Sequence, residues 1–112
     1  MSDSPVERTK QVLREHGLPE GLLPHSITEA EITDGAFVVR LQRTVERRHG
    51  PYRVRFSERI SGQLSLGRVT ALTGVKAKQG LWLSVGAITA DGDALVFSVG
   101  PARRRLPRSA FP

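Results

Sequence analysis

No cysteine occurs anywhere in the 112 residues. That excludes a disulfide framework, a thiolate nucleophile and a thiolate metal site, and it fits a reducing compartment. Aromatic residues are scarce at 5%, with a single tryptophan, Trp82, so an aromatic-lined groove has few side chains to draw on. No apolar run approaches the roughly 18 residues of a membrane-spanning helix. The opening MSDSPVERTK is polar, with no apolar h-region, so a signal peptide is not expected and a cytoplasmic location is. No G-x-S-x-G elbow is present, and no motif points to a cofactor. His16, His25 and His49 are spread over a helix end, a turn and a loop, so a metal site is not expected either.

A chain of this length is one domain and can bury a core. Its charge is uneven. Residues 1–34 carry a net −4 and the remainder a net +10, giving the overall +6. Most of the cations are arginine. Such a body favours anionic partners: nucleic acid, phosphate head groups or acidic protein.

Ser4-Pro5-Val6-Glu7 is a helix start, with Ser4 as cap and Pro5 in the first helical position. The helix runs over 5–16, and Gly17 ends it in the left-handed conformation with Leu18 as the hydrophobic contact. GLPEGLLP at 17–24 cannot continue a helix. It reads as a rigid turn region, 17–26, whose leucines plug the core. Ile27 to Ile32 is a modest strand candidate. Asp34-Gly35 is a two-residue hairpin signal. Strand 36–45 follows, then a polar loop, ERRHGP, at 46–51.

Tyr52, Val54, Phe56, Ile60, Leu64 and Leu66 all lie on even positions, which predicts a long strand or two strands bent at Gly62. The opposite face carries Arg53, Arg55 and Arg59, with Arg40 as a candidate neighbour. Thr73-Gly74 is read as a turn. Lys76 and Lys78 alternate with Val75 and Ala77. Leu81 to Ile88 is apolar at almost every position, which predicts a central strand covered on both faces. Asp91-Gly92-Asp93 makes the next hairpin, and residues 95–99 form the last strand. The remainder, 100–112, reads as a basic tail with Leu106 and Phe111 as anchors. Glycines 62, 67, 74 and 80 punctuate the apolar stretch 60–85, which is the centre of the expected core. The expected fold is mainly β: a strongly bent antiparallel sheet or small barrel of six to seven strands, spanning 27–99, with one N-terminal helix.

Leu18-Pro19-Glu20-Gly21-Leu22-Leu23-Pro24, Ile60-Ser61-Gly62, Leu72-Thr73-Gly74-Val75-Lys76, Leu81-Trp82 with Val85, Phe97 with Val99-Gly100 and the closing Pro107 to Phe111 resemble the plant family catalogued as domain of unknown function 538. The resemblance runs in register from about residue 13 to 112. It implies a β-rich fold with an N-terminal helix, similar to the lipid-binding domains of bactericidal/permeability-increasing proteins. It also implies binding of a lipid or chlorophyll-like ligand, or chlorophyll hydrolysis, with no agreed catalytic residues to carry over. The chain departs from the plant pattern at Val45, where a cysteine is common, at Ala30 and Leu66, where aromatics are, and at Leu106-Pro107.

The leading expectation is a non-catalytic binding module for an amphipathic, lipid-like anionic ligand, apolar in a groove and anionic against arginine. Its candidate residues are Arg40, Arg53, Arg55, Arg59, Leu22, Leu23 and Trp82, with Arg103, Arg104, Arg105 and Arg108 in the basic tail. The rival is a nucleic acid or acidic protein bound through the arginine surface. Tyr52 and Phe56 share the core face, so an interleaved stacking platform is not evident. A weak esterase or chlorophyll-type hydrolase would have Ser61 or Ser65 as its candidate serine. A third role is structural, with an exposed strand edge pairing with a second copy.

Overall fold

The computed structural model describes residues 4–49 and 52–111. A helix, α1 (Pro5–Glu15), precedes eight strands: β1 (Ile27–Thr33), β2 (Ala36–Leu41), β3 (Val45–His49), β4 (Tyr52–Ser65), β5 (Arg68–Gln79), β6 (Leu81–Asp91), β7 (Ala94–Val99) and β8 (Ala102–Pro107). The expected class is therefore correct, with more strands than the sequence suggested. All strands pair antiparallel in one sheet, in the order β1-β2-β4-β5-β6-β7-β8, with β3 paired to β4 beside that path. The sheet is open, so the barrel alternative does not hold.

The helix ends follow the sequence. The Ser4 hydroxyl accepts from the Glu7 amide at 3.1 Å. At the other end Gly17 sits at φ +74. The Leu18 amide donates to the Leu13 carbonyl and the Gly17 amide to that of Arg14, which is the paired-bond ending that needs a left-handed residue after the cap. Leu18, Leu22 and Leu23 are buried beside Leu13, so the Gly/Pro segment does plug the core.

β4 is the axis of the sheet. Val54, Phe56, Ile60 and Leu64 point inward and are buried, as their shared parity predicts. One edge of β4 holds two strands end to end: β3 against residues 52–56 and β2 against 59–63. The expected strand 36–45 is thus two strands separated by a break at 42–44, and the expected polar loop at 46–51 is mostly β3. Gly50 and Pro51 lie outside the described residues. β3 escaped notice because its inward positions are Val45, Arg47 and His49, which carry no apolar alternation.

Four other readings need correction. Leu66 is not a core residue; it occupies the β4–β5 turn and is 85% exposed. Thr73-Gly74 does not turn the chain. Gly74 lies inside β5 at φ +87, where an added Cβ would collide with the Arg59 backbone carbonyl, so the glycine permits two strands to approach at an irregularity in register. β6 is covered on its inner face only; Ser84 and Gly86 are exposed on the other. The expected tail is ordered structure over 100–111, and its last residue, Pro112, lies outside the described residues. β8 pairs with β7 along its whole length, a 3-10 turn (Arg108–Ala110) follows, and the buried Leu106 and Phe111 are the anchors expected.

The core lies between the inner face of the sheet and the helix with its Leu-rich turn. Ile60, Leu95, Val39 and Val85 are its most deeply buried large side chains. Among the described residues, no helix is long and apolar enough to cross a membrane.

Candidate anion-binding face

The outer face of the sheet, away from α1, carries the cations. Strand pairing sets them in two rows. Arg48 lies opposite Arg53, Arg53 opposite Lys78, and Lys78 opposite Trp82, across β3, β4, β5 and β6. In the adjacent row, Glu46 lies opposite Arg55, Arg55 opposite Lys76, and Lys76 opposite Ser84. Neighbouring strands are about 4.8 Å apart and same-face residues along a strand about 6.7 Å apart. Five cations therefore occupy a patch only a few strands wide.

Trp82 closes the first row. The Arg55 guanidinium carbon stands 4.2 Å from its ring centroid and the Lys78 ammonium 5.8 Å. Both are within cation–π range. Glu46 reaches Arg55 at 3.4 Å. Among the described residues, Arg48, Arg53, Lys76 and Lys78 have no carboxylate within ion-pair distance. Like charges placed directly opposite each other across strands are destabilising. Among the described residues Glu46 is the one carboxylate within these rows, so four of the five cations carry this repulsion without an ion pair.

Several of the remaining arginines have partners inside the molecule, whereas Arg59 and Arg103 have no carboxylate within ion-pair distance among the described residues. Arg40 faces Arg59 across β2 and β4, on the far half of β4, and pairs with Glu29 at 3.7 Å. Arg105 holds Asp91 at 2.6 Å. Arg108 donates to the carbonyls of Gly92 and Gly17, both at 2.9 Å, and so ties the C-terminal turn to the β6–β7 turn and to the end of α1. Arg104 turns to the inner side and donates to the Arg103 carbonyl. Of the expected site residues, then, Arg53, Arg55 and Trp82 come together, while Arg40 and Arg59 stand opposite each other farther along β4. Leu22 and Leu23 belong to the opposite, inner side. Arg48, Lys76 and Lys78 complete the cluster and were not singled out by sequence, although the alternation of Lys76 and Lys78 with buried Val75 and Ala77 already placed both lysines on one face.

The inner side offers little room. Two apolar voids of about 20 Å³ each flank Phe111; Leu22, Leu23 and His49 border one, Tyr52 and Arg104 the other. Each has space for about one water-sized body. His49 is 2% exposed. Its Nδ1 lies 3.0 Å from the Ala110 carbonyl oxygen, its ring packs on Phe111 at 4.4 Å between centroids, and its Nε2 has no partner among the described residues. Burial holds its pKa below the ordinary histidine value, the Ala110 hydrogen bond opposes that shift and the charge of Arg47 adds to it. His16 caps the helix through Val12, and His25 is exposed. Ser61 exchanges a hydrogen bond with the Thr73 hydroxyl at 2.6 Å on the outer side of the sheet, the opposite side from His49.

The model of the family described as "Protein of unknown function, DUF538" matches residues 9–112, so the chain belongs to that family. An uncharacterized protein of Arabidopsis thaliana is 26% identical over 98 residues, an alignment covering 85% of this chain. The chain spans 58% of that relative's length.

Proposed function

We infer that this member of the family is a non-catalytic module that docks phosphate-bearing anionic partners on the outer face of β3–β6. The observation that carries the reading is the row Arg48–Arg53–Lys78 ending on Trp82, with Arg55 and Lys76 beside it and Glu46 as the nearby carboxylate. Arg55 and Arg53 supply planar forks for phosphate oxygens and the lysines point charges. Tryptophan adds an amphipathic surface at the edge of the cations. An amphipathic ligand sunk into the sheet's inner side draws less support, because the voids there are water-sized. The outer face asks for no rearrangement.

The test is the salt dependence of binding to a short oligothymidylate, used as a soluble phosphate polymer. With about four phosphates engaged, affinity falls on the order of 50-fold between roughly 50 and 200 mM salt. Arg53→Glu with Lys78→Glu removes most of it. An affinity indifferent to salt, or untouched by the reversal, contradicts the reading.

A further inference from the structure

The face has a neighbour that soluble polyanions do not explain. Only two large apolar side chains are strongly exposed among the described residues, Leu66 and Leu81. Leu66 sits at the opposite end of the long β4–β5 hairpin from the cations. Leu81, 74% exposed, sits at the tip of the β5–β6 hairpin, next to Trp82. Gly80 turns the chain there at φ +78, and Lys78 lies just behind it. Seen end-on, the tip therefore presents Leu81 on the side of Leu83 and Val85 and the indole on the outer side, level with Lys78 and the first cation row.

Along the hairpin the order runs from the apolar Leu81, to a row that holds the indole beside Lys78 and Arg53, to Arg55 and Lys76, and this apolar-to-charged sequence matches the layers met on approaching the surface of an anionic bilayer from its core. Acyl chains come first, then the interface where tryptophan concentrates, then the phosphates. A leucine at a hairpin tip gains free energy on entering the acyl boundary. Lysine and arginine beside it gain from the negative surface potential. A nucleic acid would use the cations and the indole but has no apolar layer for Leu81. Resting on the basic-face reading above, we propose that the partner is an anionic lipid surface, entered by the Leu81–Trp82 hairpin tip and held by Arg48, Arg53, Arg55, Lys76 and Lys78 on its head groups.

The intact chain reports on this directly, because Trp82 is its single tryptophan. The chain is mixed with vesicles of phosphatidylcholine alone, with vesicles containing about one-third phosphatidylserine, and with oligothymidylate. The expected result is a blue shift of Trp82 emission and co-flotation with the anionic vesicles only. Leu81→Ser is expected to weaken vesicle binding roughly tenfold, to leave oligothymidylate binding unchanged and, being exposed, to leave the thermal midpoint unchanged. Lys78→Glu is expected to weaken both. Binding to oligothymidylate with no vesicle binding overturns the membrane proposal and leaves the basic face standing. The same holds if oligothymidylate quenches Trp82 by stacking and Leu81→Ser is silent on vesicles. Equal binding to neutral and anionic vesicles overturns the role given to the cations. Failure of both probes to bind removes the basic-face reading as well.

Discussion

The arginines of β8 and its following turn and the cations around Trp82 share one sheet, yet they differ in what they touch. Arg105 and Arg108 end on Asp91 and on the carbonyls of Gly92 and Gly17. They fasten the last strand to the β6–β7 turn and to the end of the helix. Arg48, Arg53 and Lys78 face one another across neighbouring strands and Lys76 faces Arg55, and none of these four, Arg48, Arg53, Lys76 and Lys78, has an acidic partner among the described residues. Composition cannot separate these two sets. Partners can: a cation satisfied within the chain is a brace, a cation set against its own kind costs stability, and for the cluster beside Trp82 the proposed anionic partner supplies the compensation.

The comparison breaks most visibly at Phe111, which completes the braced region. It stacks on Phe97 at 5.4 Å and packs on His49. Phe111→Ala is expected to cost about 3–5 kcal/mol, read as a lower urea midpoint, while the remaining folded protein binds anions normally. The double reversal Arg53→Glu with Lys78→Glu comes next. It is expected to cost about 100-fold in affinity, roughly 2.7 kcal/mol. Stability should hold or rise by a few tenths of a kcal/mol, because Arg48 then faces an opposite charge. A loss of stability in that variant would mean the cluster is structural after all.

Arg108→Ala sharpens the other side. It removes a charged donor from two backbone carbonyls on a half-buried side chain, and about 1–2 kcal/mol of stability should go with it, with binding unaffected. The smallest effect is that of pH on His49. Its folded-state pKa lies below its unfolded value, so the unfolded chain takes up the proton first as pH falls. Stability is therefore full above the unfolded value, near 6.5, and declines as the solution is acidified below it. His49→Phe is expected to flatten that slope between about pH 7 and pH 5 in thermal melts. An unchanged slope would assign it to other groups.

Much of the fold was legible because it is written in local patterns. The even-position parity of β4 marked a strand with one buried face. Ser4, Pro5 and Gly17 marked both ends of α1, and Asp34-Gly35 and Asp91-Gly92 marked hairpins. What stayed hidden were β3 and β8. Both carry arginine at an inward position, Arg47 and Arg104, where long aliphatic stems border the core instead of apolar residues. β6 misled for the reverse reason. Its apolar run suggested cover on both faces, but Trp82 stands on the outer face under Arg55. The candidate site was half legible. Arg53 and Arg55 share a face by parity alone, whereas Arg48, Lys76 and Lys78 join them only through strand order and register, which no local pattern specifies.

One measurement separates the two regions. The slope of log affinity for oligothymidylate against log salt is determined for the native chain, for Arg53→Ala with Lys78→Ala, and for Arg105→Ala with Arg108→Ala. The external role of the Trp82 cluster predicts a slope shallower by roughly 1.4 in the first variant, about 0.7 for each phosphate no longer neutralised, and an unchanged slope in the second. Equal slopes in all three, or a shallower slope only in the second, would contradict it.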